Sequence, residues 1–464
     1  MSHVMLPIGI ESFRELREKN CYYIDKTHFI EELMNDSFKV LLFTRPRRFG
    51  KTLALSMLAD FLDIRMDSGE LFEGLCISKN KLLCKKKMNQ SPVLFVTMKN
   101  ISGLNFSSAY GAFQTMISDL CVAHAYLADS ILTDEDDRMV FQKLKKRKGS
   151  ETETKEALYM ILRMMKMHYA RSVVLLMDEY DVPLANASEQ GYYAQMLDLI
   201  RAFVGKALKT NEFLDFAVVT GCLRIAKESI FTGTNNFISN SVSRTEYSDS
   251  FGFTKAEVWK LLEDTDLKEH AESIRMWYDG YQFGKISIYC PWDVLNYVRA
   301  LQNDSDAEPE NYWRNTSHNG IIRSFIDRTD LAVHDKFECL LSGGCIQEQI
   351  LEDMTYDTLH SSEANLWSIL YLTGYLTQTG SEGGRIFLKI PNEEIRMIFM
   401  DTIKDWFTDE VGKMDRRPLF DALWHGDEKA AAGILTDLLF GTISYFDYKE
   451  DYYHAFLTGL FAGA

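Results

Sequence analysis

Residues 38–52 read FKVLLFTRPRRFGKT, and their pattern decides the fold. An apolar run ends at Thr44, and Gly50-Lys51-Thr52 then opens a helix-like segment, LALSMLADFL. A Gly-Lys-Thr triplet between a strand and a helix is the setting of a phosphate-binding loop. The full pattern G-x-x-x-x-G-K-[ST] asks for glycine at position 45, where this chain has Arg45. The local physics still suits phosphate, because backbone N–H groups entering a helix point at an anion and the helix dipole favours negative charge. Lys51 is placed to pair with β/γ-phosphate oxygens, and the Thr52 hydroxyl to ligate Mg²⁺. Arg45, Arg47 and Arg48 add positive charge, which suits a triphosphate and equally a plain anion site. Pro46 stiffens a turn that glycine would leave flexible. The candidate nucleotide-binding set in this loop is therefore Arg45, Pro46, Arg47, Arg48, Phe49, Gly50, Lys51 and Thr52.

Residues 172–181, SVVLLMDEYD, supply the second element. This apolar run ends in Asp178-Glu179, as a buried parallel strand does when it delivers two carboxylates at its C-terminal end. Asp178 is placed to hold the Mg²⁺ shell, and Glu179 to orient or deprotonate an attacking water. The plain alternative is a pair of acids ending a strand at the surface; the order of the two signals favours the catalytic reading. A third run, FLDFAVVTG at 213–221, ends in Thr220, whose polar group is placed to sense a γ-phosphate. Arg224 is within reach of the same site or of a neighbouring subunit, and a solvated loop arginine fits it equally well.

The 464 residues suggest about three domains. With 46% hydrophobic and 25% charged residues, the composition is that of a globular protein with ample core. No run of about 18 uncharged apolar residues marks a membrane span. The N-terminus lacks the basic start and apolar stretch of a signal peptide, which points to the cytoplasm. The eight cysteines are scattered without a C-x-x-C pair and read as reduced thiols, not as a zinc or disulfide framework. A net charge of −16 disfavours a protein that coats nucleic acid. The basic runs at 79–87 and 143–148 read as solvated faces.

FKVLLFT, PVLFVTM, SVVLLM and FLDFAVV are short β-rich runs separated by long helical patterns, as in a parallel sheet built from βαβ units. The expected fold is α/β, a P-loop NTPase sheet flanked by helices over residues 1–248. A mainly helical region follows over 249–400, and a further helical segment over 401–464. Asp134 to Thr154 is polar and reads as a loop or exposed helix end, so the E-T-K at 153–155 is poorly placed for a buried metal site. Thr254 to Glu257 form a capping box opening the next helix. WYDGYQFG at 277–284 reads as an aromatic, glycine-rich turn, and RIFLKI as a short strand.

The chain resembles the bacterial AAA-ATPase-like family, whose members usually pair this ATPase with a C-terminal PD-(D/E)XK nuclease-like domain. The likeness runs through LPIGIESF at 6–13, YYIDKTHFI at 22–30, RPRRFGKTL at 45–53, LLMDEYDVPL at 175–184 and TGCLRIAKESIFTGTNNF at 220–237. It continues in GFTKAEV, WYDGYQFG, CPWDVLNYV, YWRNTSHN and LYLTGYLT, and ends in YYHAFLTGLFAGA at 452–464. RPRRFGKT is how this family spells its phosphate loop, so the missing glycine is a family trait. The resemblance further implies that 452–464 lead into a nuclease core. The chain ends there, and Asp447-Tyr448-Lys449 reads as structural, so nuclease activity is not expected.

The resulting expectation is ATP and Mg²⁺ bound by Lys51, Thr52 and Asp178, with Glu179 and Lys51 catalytic and hydrolysis coupled to rearrangement of the C-terminal region. A homo-oligomer or protein partner fits this reading, a membrane does not, and nucleic acid has no support from the net charge. A nucleotide-dependent interaction switch with little turnover is the alternative, and a truncated remnant of a defence or mobile-element ATPase-nuclease is a weaker third.

Overall fold

The computed structural model describes residues 4–224, 237–313, 331–352, 362–413 and 417–442. The expectations for Asp447-Tyr448-Lys449 and for 452–464 lie outside these residues, as do parts of the 220–237 and YWRNTSHN stretches.

The sheet that the apolar runs imply is present. Strands β1 (Val40–Thr44), β2 (Val93–Thr97), β3 (Val173–Asp178), β4 (Leu214–Gly221) and β5 (Phe237–Asn240) form one sheet in the order β2-β3-β4-β1-β5. Every neighbouring pair is parallel. Alternation along the strands explains why they are apolar throughout. Leu41, Phe43, Val174, Leu176 and Val218 enter the core on one face, while Val40, Leu42, Val173, Leu175, Met177, Ala217 and Val219 enter the core on the other. A strand covered on both faces has no solvent side on which polar residues would be favoured. The second face is covered by the helices Phe106–Ala123, Glu151–Tyr169 and Tyr193–Leu208, which contribute Phe113, Ile117, Leu158, Ile161, Leu199 and Phe203.

The polar stretch 134–154 is more ordered than its composition suggests. Glu135–Lys145 is a helix capped by Asp134, and it buries Phe141 and Leu144. Arg163 holds Asp137 from the neighbouring helix. Three acids in its first turn complement the helix dipole and also disguise a helix with few apolar residues. Glu153 belongs to the capping box that opens Glu151–Tyr169, which gives the E-T-K triplet a structural role.

Beyond the parallel sheet the chain is mainly helical, with two small antiparallel sheets. Strands β6 (Phe253–Thr254), β7 (Tyr281–Phe283) and β8 (Ile286–Tyr289) pair in the order β6-β8-β7. Strands β9 (Ile346–Glu348), β10 (Thr377–Glu382) and β11 (Arg385–Lys389) pair in the order β10-β11-β9. The turn expected at 277–284 is thus a hairpin, closed by Gly284 at φ 54°, where an added Cβ would lie 2.6 Å from the Arg244 carbonyl. The capping box at Thr254 and Glu257 opens the helix Lys255–Thr265.

The two regions share one apolar cluster, which joins Phe43, Phe49 and Leu55 to Tyr281, Trp313, Tyr375 and Phe399. The Asp-Lys-Thr triplet at 25–27 reinforces that junction. Lys26 Nζ donates to Glu257 Oε2 and to the Asp249 carbonyl, each at 2.7 Å, while Asp25 accepts from the Thr27 hydroxyl and the Cys76 N–H. These contacts make the triplet a strut between regions.

Candidate nucleotide site

Parallel strands bring their C-terminal ends to one edge, which is where open α/β sheets bind ligands. Here β4 lies between β1 and β3, so Phe43 is level with Thr220 and Met177 with Val219. This register brings the loop after β1 and the acids after β3 to the same edge, with Thr220 between them.

Gly50 caps the helix Lys51–Leu62 in the left-handed conformation, φ 84°, and no side chain caps that helix N-terminus. Its first N–H groups are therefore available to an anion. The Thr52 hydroxyl donates to Asp178 Oδ2 at 2.8 Å, and the Thr220 hydroxyl donates to Asp178 Oδ1 at 2.6 Å. Asp178 is fully buried. Burial, and next the Glu179 charge, push its carboxyl up, while the two hydroxyls pull it back.

Lys51 is 3% exposed, and its ammonium donates to the Arg45 carbonyl at 3.1 Å and the Pro46 carbonyl at 3.0 Å. Glu179 Oε1 lies 3.7 Å away, and Cys222 Sγ also at 3.7 Å. Burial alone would lower the Lys51 pKa, yet its surroundings raise it overall. Burial pushes the Cys222 thiol up to about 11, so the thiol is neutral at pH 7 and the nearby acids keep the ammonium charged. Glu179 sits at φ 53°, a strained backbone for a side chain with a Cβ, and its buried Oε2 has no hydrogen-bond partner among the described residues.

Two loop arginines expected at the phosphates point elsewhere. The Arg45 guanidinium is completely buried and donates to the Thr44 carbonyl and to the carbonyl and side chain of Asn240. It also lies over the rings of Phe251 and Phe283, 5.2 and 5.3 Å from their centroids. Arg48, at φ 73°, stacks 4.2 Å from the Trp292 ring and donates to the Tyr312 carbonyl at 3.2 Å. Both side chains anchor the loop, because flat guanidinium groups are well matched to aromatic faces and carbonyls. Phe49 likewise faces inward, 5.0 Å from Tyr281 and 5.1 Å from Phe283. Pro46 is buried. Arg47 is half-buried and adds positive charge near Cys222. Arg224 is half-buried and ends the described stretch after β4.

Two further residues shape the site. Asp181 Oδ2 accepts the N–H groups of Cys222 and Leu223 at 3.0 and 2.9 Å, tying the exit of β4 to the loop after β3. Burial, then Glu179, raise its pKa to about 6. Gly221 admits this approach: a Cβ there would lie 2.6 Å from both Asp181 Oδ1 and the Tyr180 ring. The sequence signals were the third acid of DEYD and the Thr-Gly at the end of the fourth apolar run.

Three acids thus surround one buried ammonium. That excess of negative charge, with a hydroxyl and a carboxylate in contact at Thr52 and Asp178, suits a divalent cation. Among the described residues no group of three or more His, Cys, Asp or Glu forms a metal cage. Mg²⁺ ordinarily takes one or two protein oxygens and completes its shell with phosphate and water, so the donor set fits.

Residues 7–231 match the family model AAA-ATPase_like, described as "Predicted AAA-ATPase". An uncharacterized protein encoded in the vnfD 5' region of Azotobacter chroococcum mcd 1 is 26% identical over 432 residues, covering 92% of this chain and 75% of that protein. Among the described residues no helix is long and apolar enough to cross a membrane.

Proposed function

We propose that this chain, which belongs over residues 7–231 to the AAA-ATPase-like family, binds Mg²⁺–ATP at the C-terminal edge of its parallel sheet and hydrolyses it. The convergence of Lys51, Thr52, Asp178, Glu179 and Thr220 at one edge carries this reading. Thr52 and Asp178 are the residues that hold Mg²⁺, which when bound neutralises phosphate charge. Lys51 leaves the Arg45 and Pro46 carbonyls to pair with the phosphate oxygens. Its departure frees Glu179, whose unpartnered Oε2 can then accept a proton from water. Thr220, already bonded to Asp178, links that carboxylate to β4 and to the loop carrying Arg224.

Binding and turnover of ATP by wild type, Lys51→Ala and Glu179→Gln test this. Lys51→Ala should lose binding, whereas Glu179→Gln should keep binding and lose turnover by about 100-fold or more. Equal turnover in all three proteins sinks the hydrolytic reading.

A second reading, a nucleotide-operated interaction switch with little turnover, draws support from the anchoring of Arg48 and Phe49 in the C-terminal region. Nucleotide-dependent self-association or partner binding with negligible turnover would select it.

A further inference from the structure

The phosphate loop is held closed from outside its own domain. Pro46 packs beneath Gly374, which ends the helix Glu363–Thr373 at φ 92°. A Cβ on Gly374 would lie 2.9 Å from Pro46 Cβ and 3.3 Å from the Trp313 ring, so glycine permits this closeness. On the other side of the turn, Arg48 is stacked on Trp292, and its carbonyl faces the Cys290 thiol at 3.9 Å. Phe49 is pinned through its ring by Tyr281 and through its carbonyl by the Gly252 N–H at 3.0 Å. Between these fixed points, Lys51 bonds the carbonyls of Arg45 and Pro46, so the group that would meet a phosphate is turned into the loop.

The seam behind these contacts is imperfectly sealed. Asp293 and Glu394 face each other there as completely buried carboxyl groups that can bond one another only by sharing a proton. A buried carboxyl pair that depends on one shared proton is a weaker contact than a fully apolar one. A seam of this kind can part without the sheet unfolding.

We propose that the residues around Gly374 and Trp292 form an autoinhibitory clamp on the phosphate loop, released when a nucleoside triphosphate draws Lys51 outward. The proposal rests on the reading of this loop as a phosphate site. By linkage, whatever loosens the clamp strengthens nucleotide binding, and nucleotide loosens the clamp in return.

Two variants test it in the full-length protein. Trp292→Ala removes the half-buried platform under Arg48, and Gly374→Ala inserts a methyl group against Pro46. Hydrogen exchange of the 45–50 backbone without nucleotide, and affinity for Mg²⁺–ATP, are measured beside far-UV circular dichroism to confirm folding. Exchange should quicken by about tenfold and affinity should rise by roughly fivefold. If Gly374→Ala does not fold, Trp292→Ala alone decides. Unchanged exchange in a folded variant overturns the clamp, and faster exchange with unchanged or weaker ATP affinity overturns its inhibitory role. Faster exchange with no ATP binding even in wild type refutes the phosphate reading instead, while upholding the mechanical hold on the loop.

Discussion

Asp293→Asn should make this protein more stable at neutral pH, although it alters a completely buried residue. Asp293 stands in the first turn of the helix Pro291–Asn303 and meets Glu394, in the first turn of Glu393–Lys413. Both side chains are fully buried, and the side chains that reach Asp293 within hydrogen-bonding range are the Cys290 thiol and the Glu394 carboxyl. Two facing carboxylates have only acceptors, so a shared proton supplies the donor that both lack. Burial raises Asp293 to about 6, against the pull of Cys290, Glu394 and Arg48. Burial, then the Asp293 charge, push Glu394 in the same direction.

Folded Asp293 therefore keeps its own proton up to about pH 6 and Glu394 keeps the shared one to higher pH, whereas an unfolded aspartate has lost its proton above about pH 4. Stability falls as pH rises through that window. A shift of about two units corresponds to roughly 3 kcal/mol lost by pH 7. The isosteric amide keeps a donor toward Glu394 at every pH and removes the loss. Thermal melts of wild type and Asp293→Asn at pH 4.5 and 7.5 read this directly. The two should nearly coincide at pH 4.5, and the variant should melt roughly 3–6 °C higher at pH 7.5. A variant that is less stable at pH 7.5, or shifted equally at both values, refutes the reasoning.

Gly221→Ala should destabilise the protein by about 1–3 kcal/mol, because Tyr180 is held by its hydroxyl to the Leu223 carbonyl and cannot yield to a methyl group. A melting temperature within 1 °C of wild type, to about the precision of a melt, would contradict that close approach. Phe49→Ala should cost about 3–5 kcal/mol of stability in denaturant unfolding, as expected for a fully buried aromatic. Weakened nucleotide binding with unchanged stability would mean instead that Phe49 faces the ligand.

The sheet and the strand–loop–helix that begins with β1 were legible because their signals are local. An apolar run ending in Thr44, a Gly-Lys-Thr opening a helix and an apolar run ending in Asp178-Glu179 each carry their meaning within about ten residues. Strand β5 was not read, because FISN is short and only its last residue is buried. The helix Glu135–Lys145 was missed because charge outnumbers its few buried contacts. Arg45 and Arg48 of RPRRF misled for a different reason. Positive charge beside a phosphate motif suggests an anion, yet the direction of these two side chains is set by Asn240, Trp292 and Tyr312, far away in the chain. Asp181 and Gly221 were in plain view, but their mutual approach exists only once β3 and β4 are aligned.

The order of the strands also bears on how the molecule is made. Strand β1 is synthesised first, yet it pairs with β4 and β5, at residues 214–221 and 237–240. As the chain leaves the ribosome, an apolar strand with both edges bare must wait for most of the first half to emerge. Such an edge is a template for pairing with another chain. Until β4 arrives, nascent copies are at risk of mispairing, and Lys51 has no acids beside it. The interval before residue 240 is translated is therefore when this chain would gain most from a chaperone.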